Sequence, residues 1–307
     1  MRRMKGSPGL IYESVLPEES SRYLRWDNPR LVELRRRYED HPASHHSLWS
    51  PQYLSTELKL DRFRGDNAYV HQSRSATEAS YILTAHYVQS IDKLNLLDRL
   101  GDDDLFGNYL VNFNDKMLVS RELLDAVLEI NFLQDKLDLT GLGNPVILDV
   151  GAGYGRLAHR LVRAMPQLEA VLCTDAIPES TFLSEFYLKF RGCETKAKVV
   201  ALDEIEAELG NRDVDLAVNI HSFGECRLKS IEWWIDLLAA NQIKYLFIVP
   251  NGEALSSLEP DDTKIDYLHL LLDRGYRLLV KQPNYMDAPS LQENGLYPCY
   301  YYLFERD

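Results

Sequence analysis

The segment VILDVGAGYGRLAHRL, residues 146–161, constrains the fold more than any other part of the chain. Its first five residues form an apolar run that is typical of a strand buried on both faces. Gly151, Gly153 and Gly155 follow, and glycine permits positive φ angles and the close approach of a ligand to the backbone. The segment therefore predicts a strand, a glycine loop and a helix in that order, with a ligand site at the loop.

From residue 145 onward, apolar strand-like runs alternate with helical stretches. This alternation predicts an α/β fold with a doubly wound, Rossmann-like sheet. A sheet of this kind binds its ligand beyond the carboxyl ends of its strands. Seven strands are predicted, over residues 146–150, 170–174, 198–202, 216–220, 245–249, 278–281 and 299–304. The helices predicted between them cover residues 156–164, 178–190, 231–240 and 265–274.

The part of the chain before residue 145 is more helical and more charged. Apolar spacing predicts a short helix over residues 29–38 and longer helices over 76–97 and 118–137, the last with Ser120 as its N-cap. We expect two domains, a helical N-terminal cap or lid over residues 1–140 and a sheet-containing core over residues 141–307.

The run from Asp149 to Gly155 resembles the first motif of class I S-adenosylmethionine-dependent methyltransferases, acid-x-Gly-x-Gly-x-Gly. The resemblance covers about residues 145–250 and implies that S-adenosyl-L-methionine is the cofactor. It also implies the residues that shape the loop, namely Asp149, Gly151, Ala152, Gly153 and Gly155. A dinucleotide-binding loop has the spacing GxGxxG. An NAD-dependent oxidoreductase is therefore the weaker alternative, and a plain glycine turn in a βα unit is another.

Acids end the second and third predicted strands. Asp175, followed by Ala176, stands where an acid accepts hydrogen bonds from both ribose hydroxyls, a position that NAD enzymes also use. For Asp203 the resemblance implies a place beside the adenine amino group. A solvated acidic helix start is the alternative for Asp203, because Glu204 and Glu206 follow it.

The segment DLAVNIHSFGEC, residues 215–226, covers the fourth predicted strand and the loop that follows it. In class I methyltransferases this loop lies beside the methyl group, so we expect Asn219 near the cofactor and Ser222 near the acceptor. An alcohol must lose its proton as it is methylated, and His221 is the candidate general base. Glu225 would orient its ring. The alternative is that His221 only binds backbone at the strand end.

Several segments resemble a narrower group, the sugar O-methyltransferases of bacterial secondary metabolism and glycan decoration. The resemblance implies a sugar or a glycosylated small molecule as the acceptor and a helical region before the core. The helices of this chain's N-terminal segment could form a lid that presents His71 and Gln72 to the acceptor, and His71 is a weaker alternative to His221 as the base. Gly224 and Cys226 depart from the SFxEM-like turn of that group. The matching residues are Ser120, Arg121, Leu123, Leu124, Asp125, Asn219, His221, Ser222, Phe223, Glu225 and Asn251.

Charge and cysteine usage exclude other functions. The 34 basic and 47 acidic residues give a net charge of −13, which disfavours binding to nucleic acid. The four cysteines lie far apart, so neither a disulfide framework nor a zinc site is expected. No metal ligand is assigned; Asp261 and Asp262 are interpreted first as a helix cap, and a magnesium ion that positions the acceptor stays open. No membrane span is expected, and we predict a cytoplasmic enzyme. A homo-oligomer, another small-molecule or protein acceptor, and a non-catalytic binding module with this fold stay open.

Overall fold

The computed structural model describes residues 16, 18–65, 67–69, 76–114 and 117–306. Short 3-10 turns lie at Pro42–Ser44, Leu105–Gly107, Leu202–Glu204 and Phe223–Glu225. The helices are α1 (Glu18–Tyr23), α2 (Pro29–Tyr38), α3 (Pro51–Glu57), α4 (Glu78–Ile91), α5 (Leu96–Leu100), α6 (Arg121–Leu137), α7 (Arg156–Ala164), α8 (Pro178–Phe190), α9 (Ile205–Leu209), α10 (Leu228–Ala240), α11 (Leu268–Asp273) and α12 (Pro289–Asn294). The strands are β1 (Val111–Phe113), β2 (Met117–Val119), β3 (Val146–Val150), β4 (Ala170–Thr174), β5 (Ala197–Val199), β6 (Leu216–Ile220), β7 (Tyr245–Val249), β8 (Tyr276–Pro283) and β9 (Tyr300–Arg306).

Seven of these strands form one sheet in the order β5-β4-β3-β6-β7-β9-β8. The first five strands in this order are parallel, and β9 runs antiparallel to both β7 and β8. Numbered within the sheet, the order is 3-2-1-4-5-7-6, which is typical of class I methyltransferases. The predicted α/β fold with seven strands and preceding helices is confirmed.

The central strand β3 determines where this sheet can bind a ligand. All five of its residues are buried, as its uninterrupted apolar sequence predicts. It pairs with β4 on one side and β6 on the other, with Asp149 opposite both Cys173 and Val218. The chain order reverses here, and ligands of doubly wound sheets bind at such a point.

The chain divides into two compact units, neither of which is one continuous segment. The sheet unit comprises residues 29–51, 142–284 and 299–307, and the helical unit comprises residues 1–28, 52–141 and 285–298. The chain leaves the sheet unit after Asn284 and returns to it at Cys299, and these two residues are hydrogen-bonded to each other. The backbone nitrogen of Asn284 donates to the oxygen of Cys299 at 2.9 Å, and the nitrogen of Cys299 donates to Asn284 Oδ1 at 3.0 Å.

Residues 29–51, called the strap below, pack within the sheet unit. Helix α2 buries Leu31, Leu34 and Tyr38, the three apolar residues from which the helix was predicted. Its arginines bind acids on α8: Arg30 donates two hydrogen bonds to Glu185 at 3.0 and 2.6 Å, and Arg35 Nε donates to Glu179 at 2.8 Å. Farther along, the ring of His41 packs edge-on against Trp233.

The helical unit contains a fully buried arginine. Arg64 donates to Glu122 at 2.9 Å, to Asp103 at 2.7 Å and to Asp102 at 2.5 Å. Ser120 caps α6 by accepting a hydrogen bond from the nitrogen of Leu123 at 3.0 Å, as predicted, and its hydroxyl donates to Asp102. This network ties the start of α6 to two loops of its own unit.

The structure divides one predicted helix and shortens one predicted strand. The predicted helix over residues 76–97 is two helices, because the chain turns at Asp92 and Asn95. Strand β5 ends at Val199, and Leu202–Glu204 form a 3-10 turn. In the sheet, the tyrosine-rich strand β9 lies between β7 and β8, which accounts for the burial of Tyr301 and Tyr302. Among the described residues, no helix combines the length and apolarity needed to cross a bilayer.

Candidate active site at the glycine loop

The glycine loop connects β3 to α7. Gly151, Gly153 and Gly155 have φ angles of 75°, 57° and 87°, in the left-handed region that favours glycine. The backbone nitrogens of Gly151 and Ala152 both donate to the carbonyl oxygen of Thr174, at 2.9 and 3.1 Å. The loop is therefore fixed to the end of the neighbouring strand β4.

Asp175 holds the loop from the side of β4. Its Oδ2 accepts a hydrogen bond from the backbone nitrogen of Gly153 at 2.9 Å, and its Oδ1 accepts one from Ile177 at 2.8 Å. Burial raises the pKa of Asp175 to about 7, although these two hydrogen bonds and one from Ser180 favour the ionised form. An ionised carboxylate has about four acceptor positions, so these three hydrogen bonds leave about one for a further donor.

Two other predicted cofactor residues are buried within the sheet. Asp149 lies in β3 and is 3% exposed. Asn219, at the end of β6, donates to the carbonyl oxygen of Val150 at 2.9 Å and accepts from the nitrogen of Phe223 at 3.0 Å. Asn219 thus joins the ends of β3 and β6 and shapes the loop that follows β6.

The loop after β6 contains His221 and Ser222. His221 has a φ of 65°, which is uncommon for a residue with a side chain. Its nitrogen donates to the carbonyl oxygen of Val249 at 2.7 Å, and its carbonyl oxygen accepts from Nδ2 of Asn251 at 2.9 Å. Ser222 lies against Gly151, so the loops after β3 and β6 are in contact.

Glu225 is half-buried at the end of the same loop. Its Oε2 accepts a hydrogen bond from the indole nitrogen of Trp49 at 2.7 Å, and its carboxyl group is also hydrogen-bonded to Asn251. Burial raises the pKa of Glu225 to about 7, the two hydrogen bonds oppose this, and the charge of Asp175 adds to it. The site therefore contains two carboxyl groups, Asp175 and Glu225, that titrate near neutral pH.

Asp203 is exposed, and its carboxylate binds Arg37 of the strap. Arg37 donates to Oδ2 from Nε at 2.8 Å and to Oδ1 from Nη2 at 2.6 Å. Burial opposes ionisation, but the hydrogen bonds and charge of Arg37 leave the pKa of Asp203 below its usual range. The adjacent backbone nitrogen of Leu202 donates to the hydroxyl of Tyr38 at 2.8 Å. Both polar groups at this end of β5 are thus bound to α2.

The contacts that residues of the strap make near the site were not predicted. Tyr38, His46 and Trp49 belong to no functional motif, and His46 stands in a proline-rich stretch. His46 Nδ1 lies 3.6 Å from Sγ of Cys226, and burial lowers the pKa of its ring to about 4. The one available sequence signal was the row of arginines in α2, which is complementary to the acids of α8.

Two predicted acceptor contacts, His71 and Gln72, lie outside the described residues. Within the described part of the chain, no group of three or more histidine, cysteine or acidic side chains could hold a metal ion.

Comparisons with known proteins give structural similarities alone. No protein-family model and no functionally curated protein matches the sequence. Magnesium protoporphyrin IX methyltransferase from Synechocystis with bound SAM is 15% identical, over 73% of this chain and 97% of that chain, with a TM-score of 0.43. An O-methyltransferase family protein from Burkholderia thailandensis is 11% identical, over 61% of this chain and 59% of that chain, with a TM-score of 0.40. A SAM-dependent methyltransferase from Aquifex aeolicus is 18% identical, over 57% of this chain and 89% of that chain, with a TM-score of 0.41. At these values the strand order, and not the neighbours, carries the assignment of the fold.

Proposed function

We propose that this protein is an S-adenosylmethionine-dependent O-methyltransferase that methylates a hydroxyl group of a sugar or a glycosylated small molecule. One observation carries the cofactor assignment. The glycine loop stands at the point where the strand order reverses, and Asp175 holds it through the nitrogen of Gly153 at 2.9 Å. The acceptor class rests on the resemblance of the segments around Ser120 and His221 to sugar O-methyltransferases.

The chemistry of the site fits a cationic nucleoside cofactor. Asp175 is buried and Glu225 is half-buried, and a nearby positive charge would stabilise the ionised form of each carboxyl group. The glycine spacing GxGxG differs from the GxGxxG of dinucleotide-binding loops, which makes NAD the weaker candidate for this loop. S-adenosylmethionine supplies, when bound, a methyl group on a cationic sulfur that is already an excellent leaving group.

The chain's own residues have two tasks in such a reaction. Asp175 and the glycine loop would hold the ribose and the amino acid portion, with Asn219 fixing the loop beside them. His221 would take the proton from the acceptor hydroxyl as it is methylated, a step to which a well-placed base contributes about 100-fold or more. Glu225, when ionised, would stabilise the protonated imidazole.

The decisive experiment is calorimetric titration of the protein with S-adenosylhomocysteine. Micromolar binding, about −8 kcal/mol, is expected for the wild type. Asp175→Ala should abolish it, while Glu194→Ala, an exposed acid of the same unit, should leave it unchanged. Failure of the wild type to bind would refute the cofactor assignment.

The acceptor is tested by transfer of a labelled methyl group to a panel of glycosides, with proteins and aglycones as competing acceptors. A labelled glycoside whose formation His221→Ala abolishes, at unchanged cofactor affinity, would support the proposal. Binding of the cofactor without transfer to any acceptor would favour a non-catalytic module.

A further inference from the structure

We infer that Asn251 is a positioning residue, whose single amide group fixes both the backbone of His221 and the carboxyl group of Glu225, and that Trp49 provides the second donor to that carboxyl group. The inference rests on the proposed function, because His221 and Glu225 are its candidate catalytic residues.

The first support is the backbone of His221. A φ of 65° is strained for a residue with a side chain, so the surrounding structure must maintain it. Two hydrogen bonds to the backbone of His221 involve the segment at the end of β7: the carbonyl oxygen of Val249 accepts at 2.7 Å, and Nδ2 of Asn251 donates at 2.9 Å. Asn251 therefore helps to fix the backbone position from which the imidazole of His221 extends.

The second support is the close approach of Gly224 to Asn251. A β-carbon at position 224 would lie 3.0 Å from Nδ2 and 3.4 Å from Cβ and Cγ of Asn251. A side chain at 224 would push the amide away from the loop. The glycine that departs from the sugar O-methyltransferase pattern thus makes room for this contact.

The third support is the surroundings of Glu225. An amide nitrogen carries two hydrogens, so Asn251 can donate to His221 and also to the carboxyl group of Glu225, to which it is hydrogen-bonded. Trp49 donates to Oε2 at 2.7 Å. Among the described residues, the other groups near Glu225 include the carboxyl of Asp175, whose charge opposes ionisation, and the neutral thiol of Cys226, with His46 beyond it. The two donors are what favours the ionised form.

The test follows the indole N–H signal of Trp49 by NMR during a pH titration of the cofactor-free protein. Trp49→Phe assigns the signal among those of the four tryptophans, and Glu225→Gln should abolish its titration. We expect Asn251→Ala to move the midpoint to higher pH, because one donor to the ionised form is lost. Asn211→Ala, which removes an amide bonded only to the helix carbonyl of Ala207, should leave it unchanged.

Kinetics supply the second readout. Asn251→Ala should lower kcat by about tenfold or more and move the acid limb of the pH–rate profile upward, while affinity for S-adenosylhomocysteine stays unchanged. Trp49→Phe should also move the acid limb of the pH–rate profile upward, but it leaves the backbone of His221 in place. At high pH it should therefore lower kcat less than Asn251→Ala does. If Asn251→Ala does not fold, Asn251→Asp keeps the shape of the side chain, replaces a donor by an acceptor, and should move the midpoint in the same direction.

The outcomes distinguish the positioning role of Asn251 from the proposed function. An unchanged midpoint in a folded Asn251 variant overturns the positioning role. A shifted midpoint in a protein that binds no cofactor and transfers no methyl group refutes the proposed function and leaves the hydrogen-bonded arrangement standing.

Discussion

Gly151 lies so close to Ser222 that a β-carbon at position 151 would overlap both the hydroxyl oxygen and Cβ of that serine. The contact joins the loop after β3 to the loop after β6, the two loops in which the cofactor and base residues are predicted. The contact leaves no room for a side chain at position 151, and the φ of 75° at that position also favours glycine.

Replacing Gly151 with alanine should therefore cost more than backbone strain alone. Gly192 provides the matched control, since its φ of 64° is similar but nothing lies within 4 Å of a β-carbon there. Gly192→Ala should lower the free energy of unfolding by about 1–2 kcal/mol. Gly151→Ala should lower it by about 1–3 kcal/mol more and abolish binding of S-adenosylhomocysteine. Urea denaturation and calorimetry measure both, and equal losses in the two variants would contradict the overlap.

The raised pKa of Glu225, about 7, predicts how stability depends on pH. Between its ordinary value of 4.5 and about 7, the folded protein holds this proton more tightly than the unfolded chain does. The free energy of unfolding contributed by this group must therefore fall as pH rises through that window. Glu225→Gln removes the contribution, so the stability of the variant relative to wild type should increase from pH 4.5 to pH 7. Asn211→Ala, which removes no titratable group, should show no such trend, and a trend of opposite sign for Glu225→Gln would mean that Glu225 is stabilised as an anion.

The hydroxyl of Tyr38 connects α2 to two other elements of the sheet unit. It lies 3.0 Å from the hydroxyl of Thr181 and accepts from the nitrogen of Leu202 at 2.8 Å, and burial raises the pKa of Tyr38 to about 12. Tyr38→Phe leaves the nitrogen of Leu202 without this acceptor, which should lower the free energy of unfolding by about 1–3 kcal/mol. Tyr23→Phe, at an exposed ring, should change it by less than about 0.5 kcal/mol. Urea denaturation compares the two, and an unchanged free energy of unfolding for Tyr38→Phe would show that this hydroxyl does not stabilise the packing of α2.

The buried cluster around Arg64 predicts the largest effect on stability. Removing the guanidinium leaves Asp102, Asp103 and Glu122 without their shared cation, so Arg64→Met should lower the free energy of unfolding by about 3–5 kcal/mol. Lys93→Met breaks an exposed pair with Asp135 and should cost about 1 kcal/mol or less. Thermal and urea denaturation check both, and similar losses would show that the buried charges are solvated.

The sequence was most informative where the local pattern and the global fold agree. The strand from Val146 to Val150 is buried at every position, and the glycines after it have the expected positive φ. A motif of this kind is determined by neighbours in sequence. The alternation of strands and helices predicts a largely parallel sheet, but the order of its strands depends on pairings between distant segments, such as β3 with β6 and β7 with β9.

Long-range contacts were beyond the reach of the sequence. Trp49 and Glu225 are 176 positions apart, and Arg37 and Asp203 are 166 apart. Neither pair has a local pattern, so the strap was predicted to belong with the N-terminal helices. Two expected contacts, that of Asp203 with adenine and that of Glu225 with His221, stay predictions. What the structure adds is that Arg37, Trp49 and Asn251 already bind these carboxylates.

The two discontinuous units bear on how such a protein can be cut and recombined. In the sequence, residue 141 is an apparent boundary at which the N-terminal part could be exchanged for that of another protein to make a chimera. Such an exchange would in fact carry away the indole that binds Glu225 and the tyrosine that binds Leu202. Moving this sheet into another protein would therefore require residues 29–51 and 299–307 together with residues 142–284, because the compact unit is assembled from separate segments of the chain.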